Sequence, residues 1–112
     1  MPLPHPPPLE IEPSALAALR AQEGACAIVD VREPWELEIC VLPDAQHLPL
    51  GALVGREAEL PSDRILVVIC HSGQRSLLAA RHLRQLGLAR ATSLHGGLDA
   101  WARVVDPDMA RY

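Results

Sequence analysis

Ile65-Leu66-Val67-Val68-Ile69-Cys70-His71-Ser72-Gly73-Gln74-Arg75-Ser76 is the stretch that decides the fold. Five apolar residues rich in Val and Ile, introduced by Ser62-Asp63-Arg64, predict a strand buried on both faces. From Ser76 the apolar residues Ala79, Ala80, Leu83 and Leu86 recur at helical spacing, and Gly87 supplies a C-terminal stop. Cys70 therefore closes a central strand just ahead of a helix N-terminus. Open α/β sheets set their ligand crevices there.

That placement carries chemistry. Successive loop N–H groups, with Gly73 permitting an unusual backbone angle, can curl into an anion-binding nest. The helix adds a positive dipole end, and Arg75 adds a fixed charge with forked donors that is expected to face the anion. All three favour the thiolate of Cys70, which is the nucleophilic form, and all three favour an oxyanion beside it. Cys26 and Cys40 fit the ordinary behaviour of free cysteine, a small buried hydrophobe. Cys70 does not, because polar and glycine residues follow it.

Working outward, 112 residues and 12.1 kDa make one domain with a single core. The apolar share is 49% with no Phe at all, so Leu, Val, Ile and Ala must build that core. The net charge of −4, with no basic block, argues against nucleic acid as a partner. Cysteines at 26, 40 and 70 have no CxxC spacing, so neither a disulfide framework nor a metal site is expected. No apolar run reaches membrane length and no signal-peptide pattern opens the chain, so the expectation is a thiol-reduced, cytoplasmic monomer with no membrane partner.

Residues 1–8 hold five of the eleven prolines and predict an extended or disordered arm. Leu9-Glu10-Ile11-Glu12 alternates like a short edge strand, and Pro13-Ser14 opens a helix with Ser14 as its N-cap and Leu16 and Leu19 on its apolar face. Cys26–Val31 is a second strand ending near Asp30 and Arg32. Those two residues either face the crevice in support of the site or form an ion pair that fastens the loop, and the ion pair is the favoured reading. Pro34 suits a first helical position and Glu36 a positively polarised first turn. Gln46-His47-Leu48 is a brief third strand with His47 satisfied structurally, and Leu50 to Leu60 is helical, weakened by Gly51 and Gly55. Ala91-Thr92-Ser93-Leu94 makes a fifth strand. His95-Gly96-Gly97 then turns into a helix from Leu98 to Val104, the glycine pair allowing a close backbone approach. His82 is expected on the exposed side of its helix, and residues 105–112 are expected to pack loosely. Strands alternate with helices throughout, which predicts an α/β domain: a parallel sheet with helices on both faces.

Four segments together resemble the rhodanese-like sulfurtransferase family, specifically its single-domain members. They are Asp30-Val31-Arg32-Glu33 with Trp35, Pro43-Asp44-Ala45-Gln46-His47-Leu48-Pro49, the Cys70-to-Arg75 loop, and His95-Gly96-Gly97-Leu98-Asp99-Ala100-Trp101. The resemblance implies a rhodanese-like domain over residues 9–104, between the 1–8 arm and a 105–112 tail, with a five-stranded, mainly parallel sheet. It implies that Cys70 is catalytic, carrying a sulfane sulfur as a persulfide, while His71, Ser72, Gly73, Gln74, Arg75 and Ser76 bind the donor. The donor is thiosulfate or a protein persulfide, the acceptor a thiol, cyanide or a sulfur-carrier protein, and no cofactor is required. The chain has Cys40-Val41-Leu42 where many members carry a histidine, and His71 where strong thiosulfate sulfurtransferases often have a more basic residue. Both departures favour a protein persulfide as donor. The tail also looks like the end of rhodanese modules fused to adenylating sulfur-carrier enzymes.

Two other readings compete. Cysteine-dependent phosphatases and arsenate reductases place five residues between Cys and Arg; here His71, Ser72, Gly73 and Gln74 make four, a loop sized for one added sulfur. A non-catalytic binding or persulfide-sensing module is the alternative of another class, opposed by the retention of both Cys70 and Arg75.

Overall fold

The alternating pattern becomes, in a computed structural model that describes residues 3–112, the series β1 (Glu10–Ile11), α1 (Pro13–Arg20), β2 (Cys26–Asp30), α2 (Pro34–Leu37) and β3 (Gln46–His47). It continues through α3 (Leu50–Leu53), β4 (Ile65–Ile69), α4 (Gln74–Gln85), β5 (Ala91–Leu94) and α5 (Gly97–Val104). The sheet order is β1-β5-β4-β2-β3, and every pairing is parallel. The apolar run is therefore the central strand. Residues 1 and 2 of the proline-rich arm lie outside the described residues.

The two-residue period of β4 explains the layers. Leu66 and Val68 fall on one face with Cys70, packed with Ala79, Ala80 and Leu83 of α4 and Leu53 of α3. Val67 and Ile69 fall on the other face with Leu16 and Leu19 of α1 and Leu98 and Trp101 of α5. Both faces of β4 are thus covered by helices, as an all-parallel sheet demands. Cys70 is placed under the start of α4.

Several local expectations are corrected. Ser14 is not the N-cap of α1; Pro13 takes the first helical position, which moves the cap back to Glu12. The helix expected over 50–60 splits into α3 and a 3-10 turn at Glu57–Glu59, because Gly55 adopts a φ of 94°. Helix α4 starts two residues before Ser76, at Gln74, with left-handed Gly73 as its cap. His82 is half-buried and bonded to Glu57 at 2.7 Å rather than free in solvent. The described part of the arm runs beside β5, where Thr92 donates to the Pro8 carbonyl and Arg84 to that of Pro7.

Asp30 and Arg32 form the ion pair and not a crevice wall. Arg32 has no exposed surface, and its Nε and Nη2 bond the Asp30 carboxylate at 2.8 to 3.1 Å. Its remaining donors reach the Cys40 carbonyl at 2.7 Å, the Glu36 carbonyl at 3.3 Å and the Tyr112 hydroxyl at 3.1 Å. Burial pulls its pKa down, but the Asp30 and Tyr112 hydrogen bonds outweigh burial and leave it above the ordinary value. His47 is satisfied as expected, its Nε2 lying 2.7 Å from the Arg32 carbonyl.

Removing one partner strands the other charge. Asp30→Ala is expected to lower unfolding free energy by about 3 kcal/mol or more, read by urea denaturation. A loss under about 1 kcal/mol would mean that water reaches Arg32 and that the pair does not fasten the loop.

Candidate active site

Cys70 leaves β4 with 1% of its surface exposed. Its Sγ accepts the Gly73 N–H at 3.1 Å and the Ser76 N–H at 3.4 Å, and lies 3.3 Å from the Ser76 hydroxyl. The Gly73 and Ser76 N–H groups thus both point at the sulfur. Gly73 makes this turn with a φ of 96°, and a Cβ there would sit 3.0 Å from the Gly96 nitrogen. Ser76 is itself bonded at 2.7 Å to Ser93 of β5, and both are fully buried. Ser93 is a site neighbour that sequence reading missed, since a serine in a strand carries no local signal.

Two carbonyls at the start of the loop are met from outside it. Leu98 N–H donates to the Cys70 carbonyl at 2.8 Å and Asp99 N–H to that of His71 at 3.0 Å. The first turn of α5 therefore caps the loop from outside, using N–H groups that a helix start leaves free. A Cβ on Gly97 would collide with both of those loop carbonyls, which explains the glycine pair.

Arg75 is the residue whose surroundings the sequence did not reveal. Its Nη1 and Nη2 bond Glu36 Oε2 and Oε1 at 2.7 and 2.8 Å, so the charge beside the loop is paired with a carboxylate of the chain itself. Glu36 is only 3% exposed, so its carboxylate needs a cation, and the fold brings it the partly exposed Arg75. Glu36 also accepts the Glu33 N–H at 2.8 Å and the Tyr112 hydroxyl at 2.8 Å. The Arg75 hydrogen bonds, then the Glu33 amide and Tyr112, hold the Glu36 carboxyl down to about 2 against the opposing effect of burial. The Glu36 contact likewise raises Arg75, which stays charged beside the loop.

The remaining site residues are divided. Ser72 and Gln74 are exposed at the loop rim. His71 is half-buried, its ring 4.0 Å from that of Tyr112 with 30° between the planes. Among the described residues, His71 Nδ1 is the buried side-chain polar atom without a hydrogen bond. The tail is not loose: Tyr112 also meets Trp35 edge-on at 5.9 Å, and Arg111 bonds Asp99 at 3.0 Å. Aromatic stacking and two charged partners hold it, and composition alone could not foretell these. Among the described residues no cluster of three or more metal-ligating side chains occurs, and no helix is long and apolar enough to cross a membrane.

Three comparisons bear on this geometry. A family model, the rhodanese-like domain, matches residues 12–104. A protein named "Sulfurtransferase" from Allochromatium vinosum is 39% identical over 94 residues, spanning 84% of this chain and 88% of that one. "Probable adenylyltransferase/sulfurtransferase MoeZ" of Mycobacterium tuberculosis is 39% identical over 88 residues, but these are 77% of this chain and 22% of that one. Among solved structures, a rhodanese-related protein from Thermoplasma volcanium superposes with a TM-score of 0.77 at 31% identity, covering 84% and 90% of the two chains.

Glu36 predicts a pH window. Its carboxyl titrates lower in the folded state than the ordinary 4.5, so its contribution is complete above pH 4.5 and fades as pH falls toward 2. Allowing for solvent at Arg75, whose side chain is 34% exposed, that contribution is on the order of 2 kcal/mol. Urea unfolding from pH 6 to 2.5 should show Glu36→Gln less stable at pH 6 and converging on the wild type near the acid end. Parallel curves would show that Glu36 is not ionised in the pair.

Proposed function

The chain belongs to the rhodanese-like domain family, and on that footing we propose that it is a sulfurtransferase carrying a sulfane sulfur on Cys70. The observation that carries the reading is the inward turn of the Gly73 and Ser76 N–H groups onto Cys70 Sγ at 3.1 and 3.4 Å. Such donors favour anionic sulfur and are already aimed before any charge develops. The four-residue spacing to Arg75, one fewer than in cysteine-dependent phosphatases, favours a single added sulfur over a phosphoryl group.

The reaction runs in two displacements. Cys70 thiolate attacks the outer sulfur of thiosulfate or of a protein persulfide, forming a Cys70 S–S bond. The bond from that sulfur to its donor breaks, and sulfite or the donor thiolate departs with the electron pair. The Cys70 persulfide anion then gives its outer sulfur to cyanide or to an acceptor thiolate, on a small molecule or on a sulfur-carrier protein; the S–S bond breaks with its electron pair on Cys70, and Cys70 thiolate returns. His71, Ser72 and Gln74 at the rim meet the donor, while Arg75, held by Glu36, supplies positive charge beside the loop. The cycle needs no metal or organic cofactor. It requires Cys70 reduced before loading, which a cytoplasmic, thiol-rich setting provides, and a monomer suffices. The match to part of a protein whose name combines adenylyltransferase and sulfurtransferase supports sulfur transfer as the reaction of this domain.

Incubation with thiosulfate or a persulfide donor should add about 32 Da to the intact protein, one sulfur, lost on treatment with cyanide. Cys70→Ala should show no adduct, whereas Cys26→Ala and Cys40→Ala should load normally. An adduct that survives Cys70→Ala would overturn the assignment.

A further inference from the structure

Cys70 is shut in. With 1% of its surface exposed it cannot meet a donor or an acceptor in the arrangement described, so something beside it has to move. The loop itself is a poor candidate. Its carbonyls are pinned by Leu98 and Asp99, and Gly73 and Gly97 press it against the segment that opens α5. The end of the chain is a better one. Met109 to Tyr112 contain no helix or strand, and Arg111 and Tyr112 are held by side chains. Segments held by a few partly exposed polar contacts are the ones that open first.

We propose that Tyr112 is the access-controlling residue of the Cys70 loop. Its ring covers His71, the residue next to the nucleophile, and its hydroxyl bridges to Glu36, the anchor of Arg75. It thus spans from the start of the loop to the residue that fixes the loop's end. The crevice formed by Cys40, His71, Leu98, Asp99, Arg111 and Tyr112 is too narrow for a water molecule. That tightness explains why His71 Nδ1 is buried without a partner. A buried polar atom left unpaired penalises the closed arrangement, and lifting Tyr112 relieves it by letting solvent or substrate reach the ring. The Arg111–Asp99 pair, with side chains 52% and 27% exposed, is a weak second latch. Tyr112 acts through position and not through the chemistry, since its hydroxyl serves Glu36 and Arg32. This inference gives the proposed sulfur-transfer site its entrance, but its test needs no sulfur transfer.

The test is the rate at which iodoacetamide modifies each cysteine of the reduced, full-length protein, followed by peptide mass spectrometry. Tyr112→Ala is expected to speed alkylation of Cys70 by about tenfold or more, the effect of losing two charge-assisted hydrogen bonds plus the covering ring. Tyr112→Phe keeps the ring and drops the bonds to Glu36 and Arg32, and it should fall between the two. Cys40, which lines the crevice under Tyr112, should also react faster, while Cys26 at the far end of β2 should stay at its wild-type rate. A Cys70 rate within twofold of wild type in both variants would overturn the proposal, as would an equal rise at Cys26, which would signal general loosening. Should Tyr112→Ala not fold, Tyr112→Phe decides alone. If Tyr112→Ala opens Cys70 to alkylation but the protein still takes up no sulfur from any donor, the gate stands and the sulfurtransferase reading falls.

Discussion

A guanidinium without any exposed surface constrains everything around it. Arg32 sits at the end of β2 with its charge in the interior, where an ion lacking full partnership is costly by several kcal/mol. Its demands are met from four directions: the Asp30 carboxylate, the Cys40 and Glu36 carbonyls and the Tyr112 hydroxyl. Meeting them fixes the path from α2 to Cys40 and draws the last residue against the fold. Glu36 is held where its carboxylate meets the Glu33 N–H, Arg75 and Tyr112. The position of Arg75 at the start of α4, and with it the end of the Cys70 loop, follows from a charge buried on a neighbouring strand.

The second constraint is backbone satisfaction. A loop that turns N–H groups inward onto sulfur must turn carbonyls outward, and buried carbonyls need donors. The first turn of α5 supplies two of them at Leu98 and Asp99, provided the chains approach closer than a side chain at 97 would allow. The glycines at 73 and 97 are therefore parts of the nucleophile's cradle even though neither contributes a functional group. The cradle is built from both sides, by a left-handed turn within the loop and by a helix start against it.

Much of this was legible in the residues alone. The run Ile65–Ile69 marks a strand buried on both faces because only a central parallel strand tolerates such uninterrupted apolarity. Cys70, Gly73 and the helix after them announce the nest, because each is a local signal. The Gly96-Gly97 pair likewise states a close approach without naming what approaches. Long-range pairing is what the reading lacked. Glu36 looks like a first-turn acid suited to a helix dipole, and nothing within α2 says that its carboxylate is buried against a residue 39 positions later. Tyr112 stands in a stretch whose Pro107 and mixed polarity suggest a loose tail, but one aromatic ring with two charged partners is enough to dock it. Ser14 and the 50–60 helix failed for local reasons, the strict positional preference of Pro13 and the left-handed Gly55.

The central claim is that Cys70 transfers sulfur and does not merely hold it, and one experiment addresses that difference directly. The protein is loaded with a donor labelled in its transferable sulfur, freed of excess donor, and mixed with a thiol acceptor, and the label on Cys70 and on the acceptor is followed through a single turnover. Transfer predicts that label leaves Cys70 and appears on the acceptor at the same rate and in equal amount. Label that stays on Cys70 in the presence of acceptor would contradict it and would identify a persulfide-sensing module in its place.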